Sequence, residues 1–265
     1  LLFLGALVLL QRWWLARIRQ RQSLLEATVS ERTAALKTAN RKLQDQALII
    51  REASLTDPLT GMHNRRYFSQ RIEGETQLAV RAYKTGSDLP IDQADLIFFL
   101  IDLDQFKRIN DRQGHAAGDA VLTEMRQRLQ SVFRGSDFLI RWGGEEFLAV
   151  ARGASRAKAA ELAERIRIAV NGTAIYCDKT EPVSVTCSIG FAPYPFLCGH
   201  PQAVGWKEVL ALADAALYAA KNSGRNSWVG FTGNDQAELG SMLAVLRAAP
   251  ETALHSGVVG VSRSS

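Results

Sequence analysis

From Gln11 to Thr56 the chain contains neither proline nor glycine, the two residues that most readily stop a helix. Within that stretch Leu15, Gln22, Val29, Leu36, Leu43 and Ile50 fall seven residues apart. Ile18, Leu25, Arg32, Ala39, Gln46 and Ala53 follow three residues behind them. The spacing is that of an a/d seam, apolar at five of six a positions and weakened at d by Arg32, Ala39 and Gln46. The alternative is a single amphipathic helix packed on its own domain, for which the run is long. The pattern predicts a coiled-coil signalling helix over 20–55 that pairs two chains in parallel.

Residues 1–10, LLFLGALVLL, are apolar throughout. Ten helical residues rise only about 15 Å, against a hydrocarbon core of about 30 Å, so they cannot span a bilayer alone. The first residue is Leu rather than Met, and residues 1–19 read as the C-terminal part of a transmembrane helix with its interface, in a longer protein. Trp13 and Trp14 then mark the interface, and Arg12, Arg17, Arg19 and Arg21 keep the following segment cytoplasmic. A signal peptide is the rival, but no small-residue cleavage site follows. The expected location is the inner, cytoplasmic membrane, with the globular part in the cytoplasm.

Lys and Arg outnumber Asp and Glu by 32 to 27, a net charge of +5. Residues 1–53 hold nine basic and four acidic side chains, so that excess lies there and residues 54–265 sum to zero. A phosphate-backbone partner needs a clustered basic face, so no nucleic acid is expected. At 47% hydrophobic residues the remainder fits one ordinary domain. Cys177, Cys187 and Cys198 form no CxxC pair, which argues for a reducing compartment and against a zinc site or a disulfide framework.

Pro58 and Gly61 end the helical run. Beyond them the pattern predicts a helix near 64–83, a buried strand at 96–101 (LIFFLI) and a helix over 116–133. Strands at 138–142 and 146–151 flank a Gly-Gly turn, and a helix over 155–170 follows. A strand over 183–191, a loop with three prolines, a helix over 206–222 and a strand around 227–231 complete the domain. Alternating strands and helices with one internal hairpin mean an α/β domain with a mixed central sheet flanked by helices, spanning 56–231. The tail, 232–265, reads as a helix at 236–248 and a mobile Ser/Gly/Val-rich end.

Asp102 and Asp104 stand at the C-terminal end of the buried strand, where open α/β sheets place ligands. In Arg141-Trp142-Gly143-Gly144-Glu145-Glu146-Phe147, two glycines allow a tight hairpin with adjacent carboxylates at its tip. If the two strands are neighbours, Asp102, Glu145 and Glu146 converge, and such oxygen ligands want a hard cation, Mg²⁺ or Mn²⁺. A metal held this way serves enzymes that bind a nucleoside triphosphate and activate a hydroxyl at its α-phosphorus. Lys107, Lys221 and Arg225 are candidate phosphate donors. Asn110 and Asp119 flank Gly114-His115 and can pair with a purine edge. Asn110 and Asp119 also read as helix caps, and Lys221 as a helix-end charge.

TDPLTGMHNRRYF (56–68), DLDQFKRIND (102–111), GHAAGD (114–119), RWGGEEF (141–147), TCSIG (186–190) and LADAALYAAKNSGRN (212–226) together resemble the GGDEF family of diguanylate cyclases, in order and spacing, over about residues 54–230. The resemblance implies a nucleotidyl-cyclase, palm-like fold in which each domain binds one GTP and two domains meet face to face. Each 3′-hydroxyl then attacks the other α-phosphorus, giving cyclic di-GMP and two pyrophosphates. It implies two Mg²⁺ ions held by Asp102, the Leu103 carbonyl and Glu145, with Glu146 completing the shell and Glu145 accepting the hydroxyl proton. Asn110 and Asp119 match guanine contacts, and Lys107, Lys221 and Arg225 match triphosphate contacts. Gly143 and Gly144 lie against the nucleotide. Arg134 and Asp137 match the RxxD element of a product-binding inhibitory site, supported by Arg165. A catalytically silent domain that senses cyclic di-GMP is the competing reading. Trp142 stands where Tyr or Phe is commoner, Glu145 replaces the commoner Asp, and the stretches 84–95 and 192–205 run long.

Overall fold

The structure is a computed structural model describing residues 2–53, 55–85, 94–176, 181–234, 240 and 259–264, in two compact units, residues 1–53 and 54–265. The first unit is one continuous helix, α1 (Leu2–Ala53), of 52 residues, about 78 Å long at 1.5 Å per residue. Four seam residues, Leu15, Leu25, Leu36 and Leu43, are exposed on it, as are Trp13 and Trp14. Among the described residues no helix is long and apolar enough to cross a membrane.

The second unit is a seven-stranded mixed sheet in the order β1-β3-β4-β2-β5-β6-β7. Its strands are β1 (His63–Asn64), β2 (Asp95–Leu103), β3 (Phe138–Gly143), β4 (Glu146–Ala154), β5 (Cys187–Tyr194), β6 (Trp228–Gly233) and β7 (Val259–Arg263). The helices are α2 (Arg65–Thr85), α3 (Phe106–Gln113), α4 (His115–Val132), α5 (Ala159–Asn171) and α6 (Trp206–Asn222). β2 is the middle of the sheet, antiparallel to both β4 and β5, and all nine of its residues are buried. That placement is why its sequence is apolar without alternation: both faces are covered. Leu96, Phe98 and Leu100 pack under α2 and α6, while Ile97, Phe99, Ile101 and Leu103 pack under α4 and α5. Two-residue periodicity then sends Asp102 to the α6 face.

The hairpin strands and α6 fall where the sequence pattern puts them. Three expectations change, and one helix is added. The segment after β2 forms a separate short helix, α3, turned into α4 at Gly114. The helix expected over 155–170 starts as a 3-10 turn, Arg156–Lys158, before α5. β5 begins at Cys187 rather than 183, with Val183 only bridging Ile175, and it runs on through Pro193 to Tyr194. Pairing with β6 stops at Phe191, so the missing proline N–H breaks no ladder there. The end of the tail, expected to be mobile, forms β7, antiparallel to β6 from Val229↔Arg263 to Gly233↔Val259. Most of the helix expected at 236–248 and the loop residues 86–93 lie outside the described residues, as does Cys177.

The long stretch 192–205 contributes to the core through Phe196, Leu197 and Val204. It also receives Arg156, whose guanidinium donates to the Pro195 carbonyl at 2.8 Å and pairs with the buried Asp95 at 2.7 Å. Cys187 is fully buried, and burial pushes its thiol far above the ordinary range, consistent with a packing residue.

α6 lies directly on β5 at Gly190, where a Cβ would overlap the Ala213 carbonyl oxygen and the Leu217 backbone nitrogen. Because the obstacle is backbone, no rotamer relieves it. Gly190→Ala should lower the free energy of urea unfolding by about 1–3 kcal/mol, the usual range for overpacking. An unchanged unfolding midpoint would show that α6 is not seated this closely.

Candidate active site

β2 and β4 are neighbours, and the ladder places Asp102 directly opposite Glu146. The Leu103 N–H donates to the Glu145 carbonyl at 3.4 Å, closing the same end of the pair. Like charges facing each other across a ladder are destabilising, and the carboxylates respond. Burial raises the Asp102 carboxyl above its ordinary value; Lys221 draws it down, and Glu145 and Asp104 push it further up. Glu146 is raised by burial and then by Asp102. Lys221, in the last turn of α6, reaches Asp102 Oδ2 with its ammonium at 2.8 Å and supplies the local counter-charge.

Among the described residues, no three His, Cys, Asp or Glu side chains are close enough together to form a ready-made metal cage. Asp102 and Glu146 face each other, whereas Glu145 sits in the turn and influences Asp102 through space. The donor set still fits a hard divalent cation: a buried and a half-buried carboxylate, both with raised proton affinity and one held by an ammonium, ionise together more readily beside added positive charge. Asp104 is committed elsewhere. Its carboxylate accepts from the Thr186 hydroxyl at 2.6 Å, the Ser188 hydroxyl at 2.7 Å and the Asn226 N–H at 2.9 Å, tying β2 to the α6–β6 turn.

The hairpin tip is held from outside by a pair that motif reading quoted without assigning a role. Arg141 donates to both Asp57 oxygens at 3.0 Å and to the Gly144 carbonyl at 3.0 and 3.2 Å. Burial raises the Asp57 carboxyl, but the Thr60 N–H, the Thr60 hydroxyl and Arg141 outweigh it and hold it below its ordinary value. Asp-Pro is a turn-opening pair, and that is the legible signal; the Asp57 carboxylate accepts the Thr60 N–H and hydroxyl three residues on. Gly144 adopts φ +52°, which favours glycine. A Cβ at Gly143 meets nothing within 4 Å, so the protein's own packing does not require glycine there.

Asn110 and Asp119 cap no helix; they lie inside α3 and α4. Asn110 is half-buried, its side chain seated over Gly118, where a Cβ would overlap its Oδ1. A residue without a Cβ immediately before Asp119 thus lets α3 and α4 close, bringing the amide beside the residue that precedes the carboxylate. Asp119 and Lys107 are exposed. Arg225 is exposed in the turn after α6, at φ +65°. Arg134, Asp137 and Arg165 line one cleft of about 320 Å³ between β4, α5 and the turn before β3. Asp137 also shapes that turn, accepting from the Arg134 N–H at 2.8 Å and the Arg152 N–H at 2.9 Å, while Arg165 donates to the Val132 carbonyl at 3.2 Å.

Comparison with known proteins agrees with this geometry. Residues 54–227 match the family model described as diguanylate cyclase, GGDEF domain. The chain is 38% identical over 205 residues to the diguanylate cyclase DgcP of Pseudomonas aeruginosa, covering 77% of this chain and 27% of that protein. It is 40% identical over 180 residues to the response regulator PleD of Caulobacter vibrioides, covering 68% of this chain and 36% of that protein. The chain therefore spans well under half the length of these relatives. Among solved structures it is similar to the coiled coil and GGDEF domain of DgcB from Caulobacter crescentus in complex with c-di-GMP. That match has 28% identity and a TM-score of 0.60, covering 76% of this chain and 96% of that one. With its mixed sheet, its Gly-Gly hairpin and a family match over most of its length, the chain belongs to the GGDEF diguanylate cyclase family.

Proposed function

We propose that the protein condenses two GTP molecules into cyclic di-GMP with release of two pyrophosphates, working as a dimer in which each domain holds one GTP. The observation that carries this reading is the placement of Asp102 opposite Glu146, with Glu145 next to it in a turn left open by Gly143 and Gly144. Carboxylate oxygens of Asp102, Glu145 and Glu146, with the Leu103 carbonyl, are the residues that would hold Mg²⁺ or Mn²⁺, two ions per site. When bound, such ions neutralise phosphate charge and ease ionisation of the attacking hydroxyl.

The chain's own groups do the rest. Glu145 accepts the proton of the 3′-hydroxyl. Lys107, Lys221 and Arg225 donate to triphosphate oxygens. Asn110 and Asp119 read the guanine edge: a carboxylate accepts from both N1–H and N2–H of guanine, whereas adenine offers it one donor. Gly143 and Gly144 let the nucleotide lie on the hairpin backbone. Arg141, bound to Asp57 and the Gly144 carbonyl, is a positioning residue that fixes the turn carrying Glu145.

Regulation follows the same reading. The Arg134, Asp137 and Arg165 cleft takes cyclic di-GMP as an inhibitory product, and DgcB, to which the chain is similar, is described in complex with that ligand. The exposed Leu15, Leu25, Leu36 and Leu43 of α1 pair with a second copy as a coiled coil. The apolar run 1–10 and the arginines after it anchor the chain to the inner membrane, with the catalytic domain in the cytoplasm. One observation favours a silent receptor instead: the Arg134 cleft is open while, among the described residues, no three acidic side chains converge. Tight calorimetric binding of cyclic di-GMP without any pyrophosphate released from GTP would select that reading.

Asp102→Ala or Glu145→Ala should cut pyrophosphate release from GTP and Mg²⁺ by about 100-fold or more; product formation equal to wild type would refute the carboxylate assignment. Arg141→Ala should lower kcat about tenfold with little change in KM, because it shifts the turn rather than removing a GTP contact. Equal losses in both constants would make Arg141 a direct ligand. Arg134→Ala should raise the cyclic di-GMP concentration for half-inhibition about tenfold, and undiminished inhibition would move the product site elsewhere.

A further inference from the structure

Residues 228–265 lie beyond the span 54–227 that matches the family model, and the end of this tail folds back onto β6. β7 lies at the end of the sheet and pairs with β6 from Val229↔Arg263 to Gly233↔Val259. Val259 is buried, and Gly260 sits where a Cβ would overlap the Thr232 hydroxyl. One residue past the strand, the Ser264 N–H donates to the Trp228 carbonyl at 3.0 Å, and the Trp228 N–H donates to the Ser264 hydroxyl at 3.3 Å. The tail therefore grips the first residue of β6, two residues after Asn226.

That grip bears on a turn that needs holding. Arg225 and Asn226 are consecutive non-glycine residues at φ +65° and +45°, left-handed backbone that L side chains rarely adopt. The Arg225 N–H donates to the Ala220 carbonyl at 3.3 Å, and Asp104 accepts the Asn226 N–H at 2.9 Å. Arg167 donates to Asn226 Oδ1 at 3.1 Å and pairs with Glu164 at 2.7 Å. Glu164 in turn accepts the Trp228 indole N–H at 3.0 Å. Ser264, Trp228, Glu164, Arg167 and Asn226 thus form one continuous set of contacts from the tail to the turn. They surround a cleft of about 630 Å³ that Arg225 and Arg263 also border. Without β7, β6 would become the edge of the sheet and Trp228 would lose both backbone partners on that side.

We propose that β7 is a strap that holds the α6–β6 turn in its left-handed conformation and so positions Arg225 for the triphosphate. The role of Arg225 rests on the cyclase reading; the hold of β7 on the turn does not. Ser264 and Trp228 form a hydrogen-bonded pair, so alternation along an antiparallel ladder makes Ser262 and Gly230 the next such pair and turns the Val261 N–H outward. Proline at 262 removes a ladder donor, whereas proline at 261 removes only a donor on the outer edge. The test compares full-chain wild type, Ser262→Pro and Val261→Pro by amide hydrogen exchange and by GTP kinetics. In Ser262→Pro, exchange at residues 223–226 should quicken about tenfold, and KM for GTP should rise about tenfold with kcat within about twofold. Val261→Pro should match wild type in all three. Unchanged exchange at 223–226 in Ser262→Pro, or equal effects of the two prolines, overturns the strap, and an unchanged KM overturns its role in positioning Arg225. Ser264→Ala removes only the hydroxyl acceptor and should shift the same quantities in the same direction by about threefold, which decides the question should Ser262→Pro fail to fold. A wild-type chain that turns over no GTP would refute the cyclase reading, and exchange at 223–226 would still decide whether β7 holds the turn.

Discussion

Two carboxylates facing each other across an antiparallel ladder, Asp102 on β2 and Glu146 on β4, are the constraint on which the rest of the domain depends. Left alone the pair is unfavourable, since burial and mutual repulsion both oppose ionisation. It persists because the surrounding sheet is over-determined. β2 is buried along its whole length, and its flanking strands fix the register residue by residue. A one-residue slip would turn Asp102 away from α6 and put an apolar residue opposite Lys221. The Lys221 ammonium is then the local counter-charge, and its position follows from the close seating of α6 at Gly190. Packing at one end of α6 and charge balance at the other belong to a single arrangement.

The parts of the structure legible in the sequence were those with a local cause. LIFFLI could only be a strand covered on both faces, and the Gly-Gly pair with adjacent glutamates could only be a hairpin tip. The interval 206–222 reads directly as α6. What escaped depends on partners distant in sequence. β7 is five residues of weak pattern that become a strand because β6 offers a free edge. β1 is two residues defined by pairing to β3. The Asp57–Arg141 pair joins residues 84 positions apart, and the close approach of Asn110 to Gly118 needs the angle between α3 and α4. Asp104 stands at the same strand end as Asp102, but its carboxylate is taken by the Thr186 and Ser188 hydroxyls and the Asn226 N–H, none of them near it in sequence.

The overall charge of +5 would suggest a polyanionic partner if taken as a property of the whole chain. Located by residue, it belongs to α1, while the second unit sums to zero and concentrates its cations at particular places. Lys221 sits on the carboxylates, Arg134 and Arg165 border one cleft, and Arg167, Arg225 and Arg263 border another. Such local excess is what a domain handling phosphate esters needs, because each site must neutralise a few charges at short range without attracting nucleic acid in general. The exposed leucines of α1 are the surface on which the proposed pairing of two chains rests.

The most direct test of the Asp102–Glu146 account is turnover of GTP by the purified full chain as Mg²⁺ is titrated in, with products followed by ³¹P NMR and mass spectrometry. The account predicts that cyclic di-GMP appears only with the cation, together with two pyrophosphates for each cyclic dinucleotide. GTP left unconsumed at saturating Mg²⁺, or pyrophosphate released without the cyclic dinucleotide, would contradict it.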